Sequence, residues 1–121
     1  MLYALLCYNN EAEVFSWTQE QDDAVMARLD VVHQKLDQAG KLGPALRLLS
    51  TTTATTLFKD KDLVVDGPYT ETKEQLLGLY LLDIDGLEEG LAIARELAAA
   101  NPGGAYEIRP IGLYLPGKAL G

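Results

Sequence analysis

Short apolar runs alternate along the chain with polar stretches rich in glycine and proline. LYALLCY (2–8) is brief and apolar, and Tyr3, Leu5 and Cys7 alternate with Leu2, Ala4 and Leu6, which predicts a buried strand. NNEAEVFSW reads as a loop. Thr18 precedes Gln21 at capping-box spacing, and Glu20, Asp22 and Asp23 suit the positive end of a helix. Val25, Leu29, Val32 and Leu36 then form one helical stripe, which Gly40 and Gly43-Pro44 end. ALRLLS (45–50) is a second strand. TATTLF and LVVD flank KDKD and read as a hairpin. LLGLYLLDI is a further strand, and Asp85 with Glu88 is expected to cap a second helix striped by Leu87, Leu91, Ala94 and Ala98. Asn101-Pro-Gly-Gly ends that helix, AYEIRPI is the last strand, and 112–121 is a C-terminal tail.

With the hairpin set aside as an insertion, the order is β-α-β-β-α-β. That order predicts an α+β fold of ferredoxin-like type: a four-stranded antiparallel sheet with both helices on one face. One domain is expected over 1–121. A sheet wet on its other face should alternate apolar and polar residues, but LLGLYLLDI does not. Leu77, Leu79 and Leu81 point one way, and Leu76, Tyr80 and Leu82 the other. Leaving such side chains wet costs roughly 1.5–3 kcal/mol each. The expected cover is a second copy packed sheet to sheet, a homodimer closing an α+β barrel. The rival is the hairpin folding over its own sheet. In the last strand, Tyr106 and Ile108 share one face, and Glu107 and Arg109 the other.

Charge narrows the partners. The formal net charge is −8, from 10 Lys plus Arg against 18 Asp plus Glu. Phosphate neutralisation dominates nucleic-acid affinity, so this acidic chain without a basic stripe predicts no nucleic-acid partner. No apolar run approaches the roughly 20 residues of a membrane helix. MLYALLCY lacks a basic n-region and a cleavage site, and Cys7, the single cysteine, has no partner for an internal disulfide. Both fit a cytoplasmic location.

DGPYTETKEQ (66–75) links two predicted strands. Asp66-Gly67-Pro68 is a tight turn: aspartate bonds its own backbone, glycine accepts positive φ, and proline fixes φ. TETKEQ has the composition for about one helical turn, with Thr72 and Gln75 at capping-box spacing. The stretch VVDGPYTETKEQLLGLYLLDIDGLEEGLAIA resembles the signature of the YCII-related domain family, in the branch named for a DGPF motif. Tyr69 stands where the motif has phenylalanine. The likeness extends more loosely through AGKL, TATTLF and the closing EIRPI. The resemblance implies a ferredoxin-like domain that dimerises as an α+β barrel. It also implies a link to lyase- or dehalogenase-like relatives with a His–Asp pair. Members of the DGPF branch are described beside extracytoplasmic-function sigma factors, without an established reaction.

His33 is the only histidine and the one side chain whose ordinary pKa suits proton transfer near neutrality. It falls about 70° from the centre of the apolar stripe at about 100° per residue. Asp30 and Asp37 flank it at helical spacing, so either carboxylate can orient the ring, or Asp66 across space. The alternative is a boundary histidine beside a solvated aspartate. Asp66, Glu71, Lys73 and Glu74 form a dense polar set: a small-molecule site with Lys73 for an anion, or an architectural turn. Arg47 and Arg109 lie on predicted strands with the geometry to hold a carboxylate, or pair with surface acids.

Asp60, Asp62 and Asp66 resemble calcium-loop spacing, but Val64 and Val65 occupy positions that need an oxygen ligand and a glycine. No zinc set and no phosphate-binding glycine loop is present, so no cofactor is expected. Ser50 lacks a nearby base, and Cys7 in an apolar strand predicts an inert thiol. Three functions remain: a cofactor-free lyase or hydrolase of a small anionic molecule using His33 and Asp66; a ligand-binding or regulatory dimer tied to sigma-factor-dependent transcription; and a scaffold.

Overall fold

Strand β1 (Leu2–Asn9) runs through the middle of a four-stranded antiparallel sheet. The structure, a computed structural model, describes residues 1–120. After β1 come α1 (Glu11–Val14), α2 (Gln19–Gln38), β2 (Leu42–Arg47), a 3-10 turn (Thr51–Thr53), β3 (Thr55–Phe58) and β4 (Leu63–Asp66). β5 (Gln75–Asp83), α3 (Leu87–Ala100) and β6 (Ala105–Pro110) complete the fold. The sheet order β2-β5-β1-β6, with β3 and β4 paired only to each other, is the ferredoxin-like arrangement with a hairpin insertion.

The register sets Tyr3 opposite Leu82, Leu5 opposite Tyr80 and Cys7 opposite Gly78 on the face under the helices. Val25, Leu29 and Leu36 of α2 pack there with Ile93, Ala94, Leu97 and Ala100 of α3. Leu5, Leu82 and Leu97 are sealed completely, each worth roughly 1.5–3 kcal/mol over exposure. Tyr106 and Ile108 join this core from β6.

Helix α2 is closed at both ends by local chemistry. Thr18 Oγ1 accepts from the Gln21 amide at 3.1 Å, and Gln21 Oε1 accepts from the Thr18 amide at 3.0 Å. This is the predicted capping box, worth about 1 kcal/mol. At the other end Gly40 takes φ 72°, and the Gly40 and Lys41 amides donate to Asp37 and Leu36 carbonyls, a Schellman motif.

Several expectations are corrected. Residues 11–14 are one helical turn rather than loop, because Asn10 Oδ1 accepts from the Glu13 amide. β2 starts at Leu42 and takes Gly43-Pro44 into a bulged edge strand, where proline leaves no ladder bond unmade. Asp85 does not cap α3; Gly86 holds the N-cap position without a side-chain bond. The buried stripe of α3 is Gly90, Ile93, Ala94, Leu97 and Ala100, and Leu87 is outside. Gly90 explains the roll: a β-carbon there would stand 3.2 Å from Ile84 and 3.3 Å from Ile108, so the helix approaches the sheet on its smallest side. TETKEQ forms no helical turn. Gln75 is already the first residue of β5; its side-chain Nε2 donates to Thr72 O and its Oε1 accepts from the Glu11 backbone amide. Glu11 in turn holds both the amide and the hydroxyl of Thr51, tying α1 to the entrance of the hairpin.

A bulge at Leu77 shifts the register between Cys7 and Tyr8, so Leu76, not Leu77, lies opposite Tyr8. The face away from the helices carries Ala4 opposite Leu81, and Leu6 and Leu46 on either side of Leu79. The hairpin makes no extended contact with this sheet. Leu57, Leu63, Val64 and Val65 on the hairpin are exposed.

Candidate functional site

A cleft of about 350 Å³ opens on the helix side of the sheet. Its walls are Met26, Leu29 and His33 of α2, together with Val14, Phe15 and Trp17 from the α1–α2 segment. Residues 45–48 form one side, and Cys7, Gly78, Tyr80 and Tyr106 form the floor. Gly78 sets the depth. A β-carbon there would lie 2.4 Å from the Leu46 carbonyl, so β2 approaches β5 more closely than any other residue would allow.

His33 Nε2 stands 2.7 Å from Tyr80 Oη, and Nδ1 faces Asp30 Oδ1 at 3.5 Å. The carboxylate favours the proton on Nδ1, so Nε2 presents its lone pair and Tyr80 O–H donates to it. The two rings are tilted at 56° with centroids 5.3 Å apart. Asp30, one of the two flanking acids considered, is the one that meets the imidazole.

Burial gives the floor its electrostatics. It pushes the Cys7 thiol up to about 12 and, with a contribution from Cys7, the Tyr106 hydroxyl up to about 12. Tyr80 is raised as well, first by burial, then by Cys7, Tyr106 and Asp30, while the Arg47 charge opposes the rise. The floor is therefore neutral at physiological pH, and its hydroxyls keep their protons to donate. Asn101 Oδ1, beside the floor, is buried without a hydrogen-bond partner.

The remaining residues singled out in the sequence are dispersed. Asp66 is exposed on β4, its backbone opposite Thr55, and lies outside the cleft lining. Glu71 is exposed and lines neither depression. Lys73 and Glu74 border a shallow depression with Asn10, Glu13 and Gly104, which adjoins the cleft through Asn9 and Gly103. Arg109 pairs with Glu107 on the opposite sheet face, where Tyr8 Oη also donates to Glu107 at 3.4 Å. Arg47 reaches the cleft rim, 3.4 Å from Asp22 and 3.1 Å from Met26 Sδ. Among the described residues, no group of three His, Cys, Asp or Glu side chains is placed to hold a metal ion, and no helix is long and apolar enough to cross a membrane.

Sequence reasoning missed Tyr80, Tyr106 and Gly78. A signal was present: Tyr80 is the one hydroxyl in a leucine-rich strand, and a buried tyrosine hydroxyl needs a partner.

A family model described as the YCII-related domain matches residues 1–113. An uncharacterised protein of Rhizobium meliloti (strain 1021) is 52% identical over 121 residues, covering 98% of each chain. Among solved structures, the chain is similar to 5-chloro-2-hydroxyhydroquinone dehydrochlorinase from Burkholderia phenoliruptrix AC1100, in complex with 2,5-dihydroxybenzoquinone. That likeness has a TM-score of 0.55 over 92% of this chain and 93% of the other, at 15% identity, and shows the fold. By the extent of the family match and the identity of this relative, the chain belongs to the YCII-related domain family.

Proposed function

We propose that the chain is a lyase or hydrolase that removes a proton from a small anionic molecule held in the helix-side cleft. The 2.7 Å contact between His33 and Tyr80 inside a largely apolar cleft carries this reading. The proton leaving the substrate enters on Tyr80 Oη while the hydroxyl's own proton passes to His33 Nε2. Tyr80 ends unchanged and the imidazole becomes imidazolium beside Asp30. In an elimination the electron pair of the broken bond to hydrogen expels the leaving group as an anion. His33 keeps the role of base, and Asp30, which faces the imidazole, takes the part first considered for Asp66. The dehydrochlorinase fold neighbour makes loss of chloride from a hydroxylated ring the first reaction to try.

The reading includes a homodimer. The leucines of the open sheet face and the exposed apolar hairpin support it, since a lone two-stranded hairpin is marginally stable in water. Binding without turnover is the second reading, and the neutral cleft floor favours it.

Chloride release from 5-chloro-2-hydroxyhydroquinone is the test. Wild-type protein should release chloride faster than buffer, and His33→Gln should lower the rate at least about 100-fold. Equal rates in wild type and variant remove the catalytic reading.

A further inference from the structure

We infer that Arg47 is the specificity-determining residue of the cleft, selecting ring-sized ligands that carry an oxyanion, and that Asp22 holds its guanidinium at the rim until such a ligand arrives. The inference rests on the cleft being the ligand site.

Among the described residues, Arg47 is the only lysine or arginine lining the cleft. Its register partner is Gly78, and Ala45 lies opposite Tyr80, so Arg47 and Tyr80 are diagonal neighbours across the β2–β5 ladder. Diagonal positions in such ladders are roughly 7–8 Å apart at the backbone. One substituted six-membered ring spans that interval, with its anionic group on Arg47 and its reacting group at Tyr80. The rest of the wall, from Phe15, Trp17, Met26 and Leu29, offers apolar surface to the ring itself.

The guanidinium is underused. It has five donors, yet its contacts are one long bond to Asp22 at 3.4 Å and one to the Met26 sulfur at 3.1 Å. Half of the side chain is exposed, so its pairing with Asp22 contributes little to stability. A planar oxyanion offers the bidentate geometry that this single carboxylate oxygen does not. The arginine charge also reaches the cleft floor, where it acts on Tyr80 against the effect of burial. In a chain of net charge −8, a lone cation at the mouth is the feature that admits an anion.

Salicylate and its neutral analogue salicylamide distinguish the idea by isothermal titration at low salt. Wild-type protein should bind salicylate about tenfold more tightly than salicylamide. Arg47→Met, which keeps the packing against Met26, should bring that ratio to about one while leaving salicylamide affinity unchanged. Asp22→Asn should raise salicylate affinity several-fold, and added salt should erase the preference. A wild-type ratio near one, or a ratio unmoved by Arg47→Met, overturns the role of Arg47 and leaves the cleft reading intact. Failure of wild type to bind either probe at millimolar concentration overturns both. His33→Gln should keep the salicylate preference while losing turnover, which separates selection from chemistry.

Discussion

His33 Nε2 and Tyr80 Oη meet at 2.7 Å across the junction of α2 and β5, 47 positions apart in sequence. Helix and strand each contribute one polar group to an interface built otherwise from apolar side chains such as Val25, Met26, Leu29 and Leu82. The pair is a polar contact set among apolar side chains, and it is where the proposed function puts the proton transfer.

Tyr80→Phe separates these two roles. Removing the hydroxyl leaves the half-buried imidazole nitrogen without its partner, and should cost about 1–3 kcal/mol of stability in urea denaturation. If Tyr80 relays the proton, chloride release should fall in parallel with His33→Gln. A variant with lowered stability and full turnover would leave the tyrosine a structural role only.

Alkaline pH should weaken the fold in a defined window. Burial raises Cys7 from 9.0 and Tyr106 from 10.0, each to about 12, and raises Tyr80 too. Groups held neutral in the native state bind more protons than the unfolded chain above their ordinary values. Their contribution is intact below about 9 and is lost as pH rises through about 12. The urea midpoint should start to fall near pH 9, and Cys7→Ala should delay that onset to about 10, where the tyrosines begin.

Gly78→Ala tests the shape of the cleft. The added methyl would fall 2.4 Å from the Leu46 carbonyl, which belongs to backbone and has no rotamer to yield. Strand β2 must move, at a cost of about 1–3 kcal/mol in thermal or urea unfolding. Salicylate affinity should fall with it, because Arg47 rides on the displaced strand.

Val64→Asp probes the assembly. Val64 lies opposite Leu57 on an exposed hairpin face. Sedimentation equilibrium should give a two-chain mass for wild type and a one-chain mass for the variant. A single-chain wild type would remove the dimer from the functional reading.

The two-layer architecture was legible because leucine alternation and helical stripes are local signals, and the two long helices, α2 and α3, and all six strands follow from them, while the single turn of α1 does not. What escaped depended on close approach. The roll of α3 is set by Gly90 against Ile84 and Ile108, which no helical wheel reveals. The bulge at Leu77 moves one leucine between faces and breaks the simple alternation read from LLGLYLLDI. His33 was visible as the sole imidazole, and Asp30 as one of its two possible neighbours. Tyr80 was hidden inside a hydrophobic run, where its hydroxyl's need for a partner shows only once the strand is known to be buried. In the fold, Asp66 stands on a separate hairpin and Arg109 on the far side of the sheet, because sequence density of charge carries no information about which face each residue will take.

Thr18 and Gly40 clamp α2 between two stops, and this has a consequence for how such a protein can diverge. Each residue inserted or deleted between them would spin the downstream turns by about 100°, swinging the imidazole out of reach of its phenol. Changes of length are thus barred from that stretch while exchanges of side chain are free. New properties along this lineage must come by replacing the residues around an imidazole whose bearing stays fixed.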